Sequence, residues 1–144
     1  MSVATTQLSN HFKKQVMDGL IDFGSDDFKI ILMKTTFTFN QDTNETYTAI
    51  SGSELSTGSG YTKGGISIGS GELVEDNVNN RCSIVFGRSG EFTGTSQGFT
   101  TRRAVIFDDT SADKTVVGCL DYGTNFSVGY AKTLSVRNIT VDLF

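Results

Sequence analysis

Short runs of alternating apolar and polar residues, separated by clusters of Gly, Ser, Asn and Asp, constrain this chain more than any other feature. A period of two is typical of β-strands with one buried face, and turn-forming clusters at both ends favour antiparallel sheets. A length of 144 residues fits one domain with a sizeable core. The pattern predicts a single mostly-β domain over 1–144, an antiparallel β-sandwich of jelly-roll type. The predicted strands are 28–39, 46–50, 65–73, 81–87, 102–109, 115–123 and 133–144.

The chain holds no proline. Glycine, serine, threonine and asparagine must therefore make every reversal, through positive φ and side-chain hydrogen bonds. Within the stretch "SGSELSTGSGYTKGGISIGSGEL" (51–73), we predict an ordered, tightly turning loop over 51–65 that leads into a strand. A phosphate-binding loop is excluded because Lys63 precedes Gly64 and Gly65, whereas that motif places its lysine directly after the glycines.

One segment departs from the period of two. Residues 9–23 carry apolar residues at helical spacing, with Phe12, Val16, Leu20 and Phe23 along one stripe. The spacing predicts one short N-terminal α-helix over about 9–23. Its apolar stripe, Leu20 included, is expected to pack against the sheet.

The last predicted strand changes phase along its length. Leu134 and Val136 occupy even positions, whereas Ile139 and Val141 occupy odd ones. A slip of one residue turns side chains to the opposite face of a sheet. We therefore predict a β-bulge near 137–138, since a bulge inserts one extra residue and restores the buried face.

Composition disfavours several classes of function. The net charge is −4 and the 12 Lys and Arg residues are scattered, so no nucleic-acid partner is expected. No apolar run is long enough for a membrane span or a secretory signal, which predicts synthesis in a cytoplasm and no membrane partner. In that compartment Cys82 and Cys119 are expected to stay free thiols.

No combination of residues predicts catalysis. His11 is the single histidine, expected in solvent on the helix, and no second imidazole can complete a metal site with it. The acidic run 108–113 lacks the spacing of a calcium-binding loop, and we predict that its side chains bond their own backbone. We therefore expect no catalytic residue, no metal and no cofactor.

The order of motifs points to a family. The predicted helix is followed by "DFKI" (27–30), then by a loop with an acidic residue and a Gly–Tyr–Gly pattern, then by a strand that ends in "GCLDYG" (118–123). This order resembles a family of small virion structural proteins encoded by tailed bacteriophages, over roughly residues 8–143. The matching residues of the loop are Glu54, Gly58, Gly60, Tyr61, Gly64 and Gly65.

The resemblance implies a non-enzymatic structural component of a tailed phage particle. Within this class, we expect first a capsid decoration or cement protein that acts by multivalent packing. Such a protein is made in the bacterial cytoplasm and located in the virion. The implied partners are other virion proteins, the major capsid or tail proteins, and further copies of the chain in a homo-oligomer. A tail, neck or fibre-associated protein is the alternative within this class. A carbohydrate- or receptor-binding module is the alternative outside it, although the absence of Trp makes an aromatic sugar platform harder to build.

The candidate partner interface lies in the loop 51–65 and comprises Leu55, Tyr61 and Lys63. Two positions of Tyr61 remain open at this point. Its ring is buried against a partner with the hydroxyl bonded, as interface tyrosines often are, or it folds back onto its own sheet and anchors the loop.

Overall fold

The structure is a computed structural model that describes residues 5–143 and contains 46% strand and 11% helix. The paired strands are antiparallel, which confirms the predicted mostly-β class, and one short helix lies near the N-terminus. Among residues 5–143, no helix is long and apolar enough to cross a membrane. In chain order the elements are β1 (Thr5–Leu8), α1 (Asn10–Met17), β2 (Phe28–Met33), α2 (Tyr47–Ile50), a 3-10 turn (Ser51–Ser53), β3 (Ile66–Gly69), β4 (Gly71–Asp76), β5 (Arg81–Phe86), β6 (Gly90–Thr93), β7 (Phe99–Asp108), β8 (Val116–Val128), β9 (Thr133–Val136) and β10 (Thr140–Asp142).

The sheets pack in a sandwich-like arrangement around a central five-stranded sheet of order β1-β8-β7-β2-β3. One face of that sheet carries the larger hydrophobic cluster, to which α1, the sheet β10-β5-β4 and the sheet β6-β9 also contribute. The opposite face carries a smaller cluster, to which the segment 34–50 contributes. The central sheet is therefore covered on both faces.

Strand β2 shows why its sequence has so few polar positions. Ile30 and Leu32 lie in the larger cluster, whereas Ile31 and Met33 lie in the smaller one, and all four are fully buried. β2 pairs with β3 on one side and with β7 on the other. An unbroken apolar run is what a strand needs when both of its faces are covered.

In the segment 46–50, predicted as a strand, Thr46 makes a single antiparallel bridge with Thr115, and Tyr47–Ile50 form the helical turn α2. Tyr47 and Ile50 lie three residues apart, so one helical turn brings both side chains to the same side, in the smaller cluster. The Tyr47 ring stacks on Phe107 with 4.8 Å between ring centroids. Tyr47 and Ile50 therefore contribute to the core by packing and not by strand pairing.

The helix α1 is shorter than the predicted 9–23. It ends at Met17 in a Schellman motif, in which Gly19 has φ 72° and the N–H of Leu20 donates to the carbonyl of Gln15 at 3.0 Å. Leu20 is consequently 59% exposed, so the expectation that it packs against the sheet is wrong. Phe12 is fully buried, as predicted.

The phase change near the C-terminus marks a change of sheet, and not the predicted bulge at 137–138. β9 pairs with β6, whereas β10 pairs with β5, and Asn138 between them has φ 54°. Because each strand keeps its own alternation, both halves of the segment contribute buried residues to the larger cluster: Leu134, Val136, Ile139 and Val141.

Candidate functional site

The loop 51–65 is built around one buried carboxylate. Glu54 is 1% exposed, and its carboxylate accepts hydrogen bonds from the Tyr61 hydroxyl at 2.6 Å, the Tyr47 hydroxyl at 2.5 Å and the Gly64 N–H at 2.6 Å. The Tyr61 hydroxyl also accepts the Leu32 N–H of β2 at 3.1 Å. Burial, followed by the hydrogen bond to Glu54, raises the pKa of both tyrosines above its ordinary value. A buried carboxylate is tolerated when donors surround it, so this network holds the loop on the sheet.

Two placements were left open for Tyr61. In the structure its side chain folds back onto its own sheet and anchors the loop. The residue is 2% exposed, and its ring lies 5.7 Å from that of Phe92 and 6.4 Å from that of Phe99, measured between centroids. This corrects the expectation that its ring is buried against a partner. Leu55 is half-buried against the larger cluster, and Lys63 is exposed, so a partner contact at these two residues stays a prediction.

Two glycines of the loop are required by close packing. A Cβ on Gly60 would lie 2.0 Å from the carbonyl oxygen of Thr93, and one on Gly65 would lie 2.0 Å from that of Ile30. Both glycines have positive φ, as the absence of proline led us to predict for this loop. The buried Glu54 and Tyr61, together with these glycines, therefore determine the shape of the loop by contacts inside the chain.

A groove of about 600 Å³ lies beside β4, the last strand of its three-stranded sheet. Gly19 and residues 21–24 form one wall, and residues 71–73 form the other. Leu73 is 51% exposed here, and Leu20, which follows the helix, is exposed next to the loop wall. Exposed leucines beside an open strand edge were not recognised from the sequence, because an edge position has the same alternation as an interior one.

Asp26 and Asp108 form a buried carboxyl pair that the sequence did not single out. Asp108 is 0% exposed, and its Oδ1 accepts the N–H groups of Thr110 at 3.0 Å and Ser111 at 3.2 Å, which confirms that the acidic run bonds its own backbone. Within the described part of the chain its Oδ2 has no hydrogen-bond donor. Burial, then the hydrogen bond and charge of Asp26, raise the pKa of Asp108 to about 7. Asp108 therefore holds its proton to a higher pH than an exposed carboxyl does.

The lone histidine is half-buried and forms a hydrogen bond with Asp113, with 2.8 Å between His11 Nε2 and Asp113 Oδ2. Burial opposes ionisation of Asp113, but the hydrogen bonds from Thr115 and His11 hold its pKa below the usual range. This pair ties α1 to the loop before β8. Within residues 5–143, no group of three or more His, Cys, Asp or Glu side chains is placed to hold a metal ion.

The described residues thus define a mostly-β domain with an internally anchored glycine loop and an open strand edge. No family model, curated protein or solved structure matches the chain. Among the described residues, the surfaces open to a partner include the exposed part of the loop around Lys63 and the groove beside β4.

Proposed function

We propose that this chain is a non-enzymatic structural subunit of a tailed phage particle, and within that class a capsid decoration protein. The observation that carries the proposal is the open edge of β4 with Leu73 exposed beside it. Unpaired strand edges and exposed apolar side chains favour association, and proteins that act alone usually protect them. When a subunit packs into a larger assembly, such an edge is covered by the neighbouring protein.

The order of motifs along the chain supports the particle as the place of assembly. Glu54, Tyr61 and the glycines after it hold a long loop firmly on the sheet, which suits a subunit that must present one fixed surface many times. Multivalent packing gains from such rigidity because little conformational entropy is lost on binding. The partners are the major capsid protein or a tail protein, together with further copies of the chain.

Electron cryo-microscopy of virions purified from the phage that encodes the chain tests this proposal. The expected result is a regular set of densities on the head that the domain fits. Density at the tail, neck or fibres would instead favour a tail, neck or fibre-associated protein over a capsid decoration protein. Purified virions without the chain, shown by mass spectrometry, would refute the proposal.

A second groove favours a carbohydrate-binding module as the other candidate function. It has a volume of about 570 Å³ and is lined by Phe126 beside polar side chains that include Ser127, Lys132, Thr133 and Arg137. One aromatic ring among hydrogen-bonding groups is the usual composition of a sugar site. A glycan array with the purified monomer tests this candidate, which fails if no glycan binds at micromolar protein concentration.

A further inference from the structure

The hydrogen-bond pattern of β4 shows which backbone groups face outward. The Gly71 N–H donates away from β5, to the carbonyl of Phe23 at 2.7 Å, and the N–H of its register partner Phe86 donates away from β4, to Ile139 at 3.0 Å. This pair therefore exchanges no hydrogen bonds. In an antiparallel ladder the pattern repeats every second residue, so the N–H and C=O groups of Leu73 and Glu75 also point to the open edge.

The groove is placed to receive a strand along this edge. Phe23 already pairs with the first residue of β4, and among the described residues no other backbone hydrogen bond joins the loop wall to this strand, which leaves the edge open from Leu73 onward. Leu73 lies opposite the fully buried Ile84, so its side chain is on the core-facing side of the sheet. An apolar side chain of an added strand, placed next to Leu73, would therefore enter the groove between β4 and Phe23.

The charges around the edge select the partner. Glu72 and Glu75 are exposed on β4, and Asp22 lies on the opposite wall of the groove. The nearby Arg81 is engaged by Asp76 at 3.1 Å and by Asp142 at 2.8 Å. Pairing of β4 with a second copy would bring acidic strands together, and like charges across a strand pair are destabilising. A segment with Lys or Arg beside its apolar residues is complementary.

We propose that the groove beside β4 binds an extended segment of a partner protein, added as a further strand, with an apolar side chain next to Leu73 and a Lys or Arg residue on the opposite face, beside Glu72. Backbone hydrogen bonds supply affinity in this mode, and alternate side chains supply specificity. The inference rests on the proposed function in one respect, that the chain acts by binding other proteins.

Two capped synthetic peptides test the inference, one of alternating Val and Lys and one of alternating Val and Glu. The Lys peptide is expected to bind saturably, to weaken with added salt, and to shift the amide NMR signals of residues 20–24 and 71–76. The Glu peptide is expected not to bind. Equal affinity for both peptides, or no saturable binding of the Lys peptide at millimolar concentration, would overturn the inference.

Two matched variants locate the binding. Leu73→Thr keeps β propensity but removes the apolar contact at the edge. It should lower the affinity for the Lys peptide by about tenfold. Val85→Thr makes a similar change on the adjacent strand, at an exposed position away from the edge, and should bind as wild type does. Melting temperatures of both variants verify that the fold is kept. Equal binding by Leu73→Thr and wild type would place the peptide elsewhere and refute the inference.

Analytical ultracentrifugation and virion analysis separate the remaining outcomes. Self-association of the wild type that Leu73→Thr abolishes would make a second copy the occupant and overturn the choice of a basic partner. Peptide binding by a chain that is absent from purified virions would refute the proposed function but leave this inference standing. A chain that is present in virions but binds no peptide would refute this inference and leave the proposed function standing.

Discussion

The carboxyl pair of Asp26 and Asp108 makes the stability of the fold depend on pH in an unusual direction. The pKa of Asp108 rises from 3.8 to about 7 in the folded protein, so the folded state holds a proton that the unfolded state releases. The resulting stability is fully present below the unfolded pKa and is lost as the pH rises through the folded one. At about 1.4 kcal/mol for each pKa unit, the loss between these two values is roughly 4 kcal/mol.

Asp108→Asn tests this reasoning because the amide imitates the protonated acid. Its oxygen can still accept the backbone N–H groups that Asp108 Oδ1 accepts, and its NH₂ can donate to Asp26. The same arithmetic makes the variant more stable than the wild type by roughly 4 kcal/mol at pH 8 and by clearly less at pH 5. Urea unfolding followed by circular dichroism at both pH values measures the two differences.

Asp109→Asn is the matched control at the next residue. The hydrogen bond from Lys114, followed by the charge of Lys29, lowers the pKa of Asp109, so this carboxylate stays ionised throughout the pH range of the test. The control should be less stable than the wild type, by a similar amount at pH 5 and pH 8. The reasoning is refuted if Asp108→Asn differs from the wild type equally at both pH values, or is the less stable protein at pH 8.

Three further predictions concern the loop and the thiols. Tyr61→Phe should lower the free energy of unfolding by about 1–3 kcal/mol in urea titrations, because it leaves a buried carboxylate and a backbone N–H short of a partner, whereas Tyr47→Phe should cost less since its hydroxyl is only part-buried. Gly60→Ala should destabilise the protein more than Gly64→Ala, because both have φ near 100° but only the first Cβ meets backbone atoms; equal melting temperatures would contradict this. Burial raises the pKa of the Cys119 thiol to about 12, so iodoacetamide at pH 8 should label it only after denaturation, as mass spectrometry of native and unfolded samples would show.

Much of the fold follows from local periodicity, and the errors have physical causes. The alternation of apolar residues is a local property, and it located β5, β7 and much of β8, whereas the strand predicted over 28–39 ends at Met33. It missed the end of α1, because Gly19 and the hydrogen bonds of the Schellman motif act against a stripe that continues to Phe23. Phe23 is buried all the same, stacked on Phe28 at 6.1 Å, so its spacing reflected tertiary packing and not helix.

Long-range pairing explains what the sequence could not predict about the carboxyl pair. Asp26 and Asp108 are separated by most of the chain and meet because β2 and β7 are neighbours, with Phe28 in register with Asp108. Each lies in an acidic run, which alone indicates a solvated loop. Only the strand pairing turns two ordinary acidic loops into a buried pair that holds a proton.

Local sequence and long-range pairing also differ in what they show about binding. The residues that make the loop recognisable are not the residues that bind in our proposal. Glu54, Tyr61 and the glycines stand out in the sequence because their chemistry is unusual in that order, and each of the described contacts that accounts for them is made within the chain. Glu72 and Leu73 look like any alternating pair on a strand, and become distinctive only because β4 ends its sheet among the described residues. A motif of this kind therefore reports how the chain folds. In our proposal, the partner that the chain binds depends on where the sheet ends, and the end of the sheet is decided by the pairing of strands far apart in the sequence.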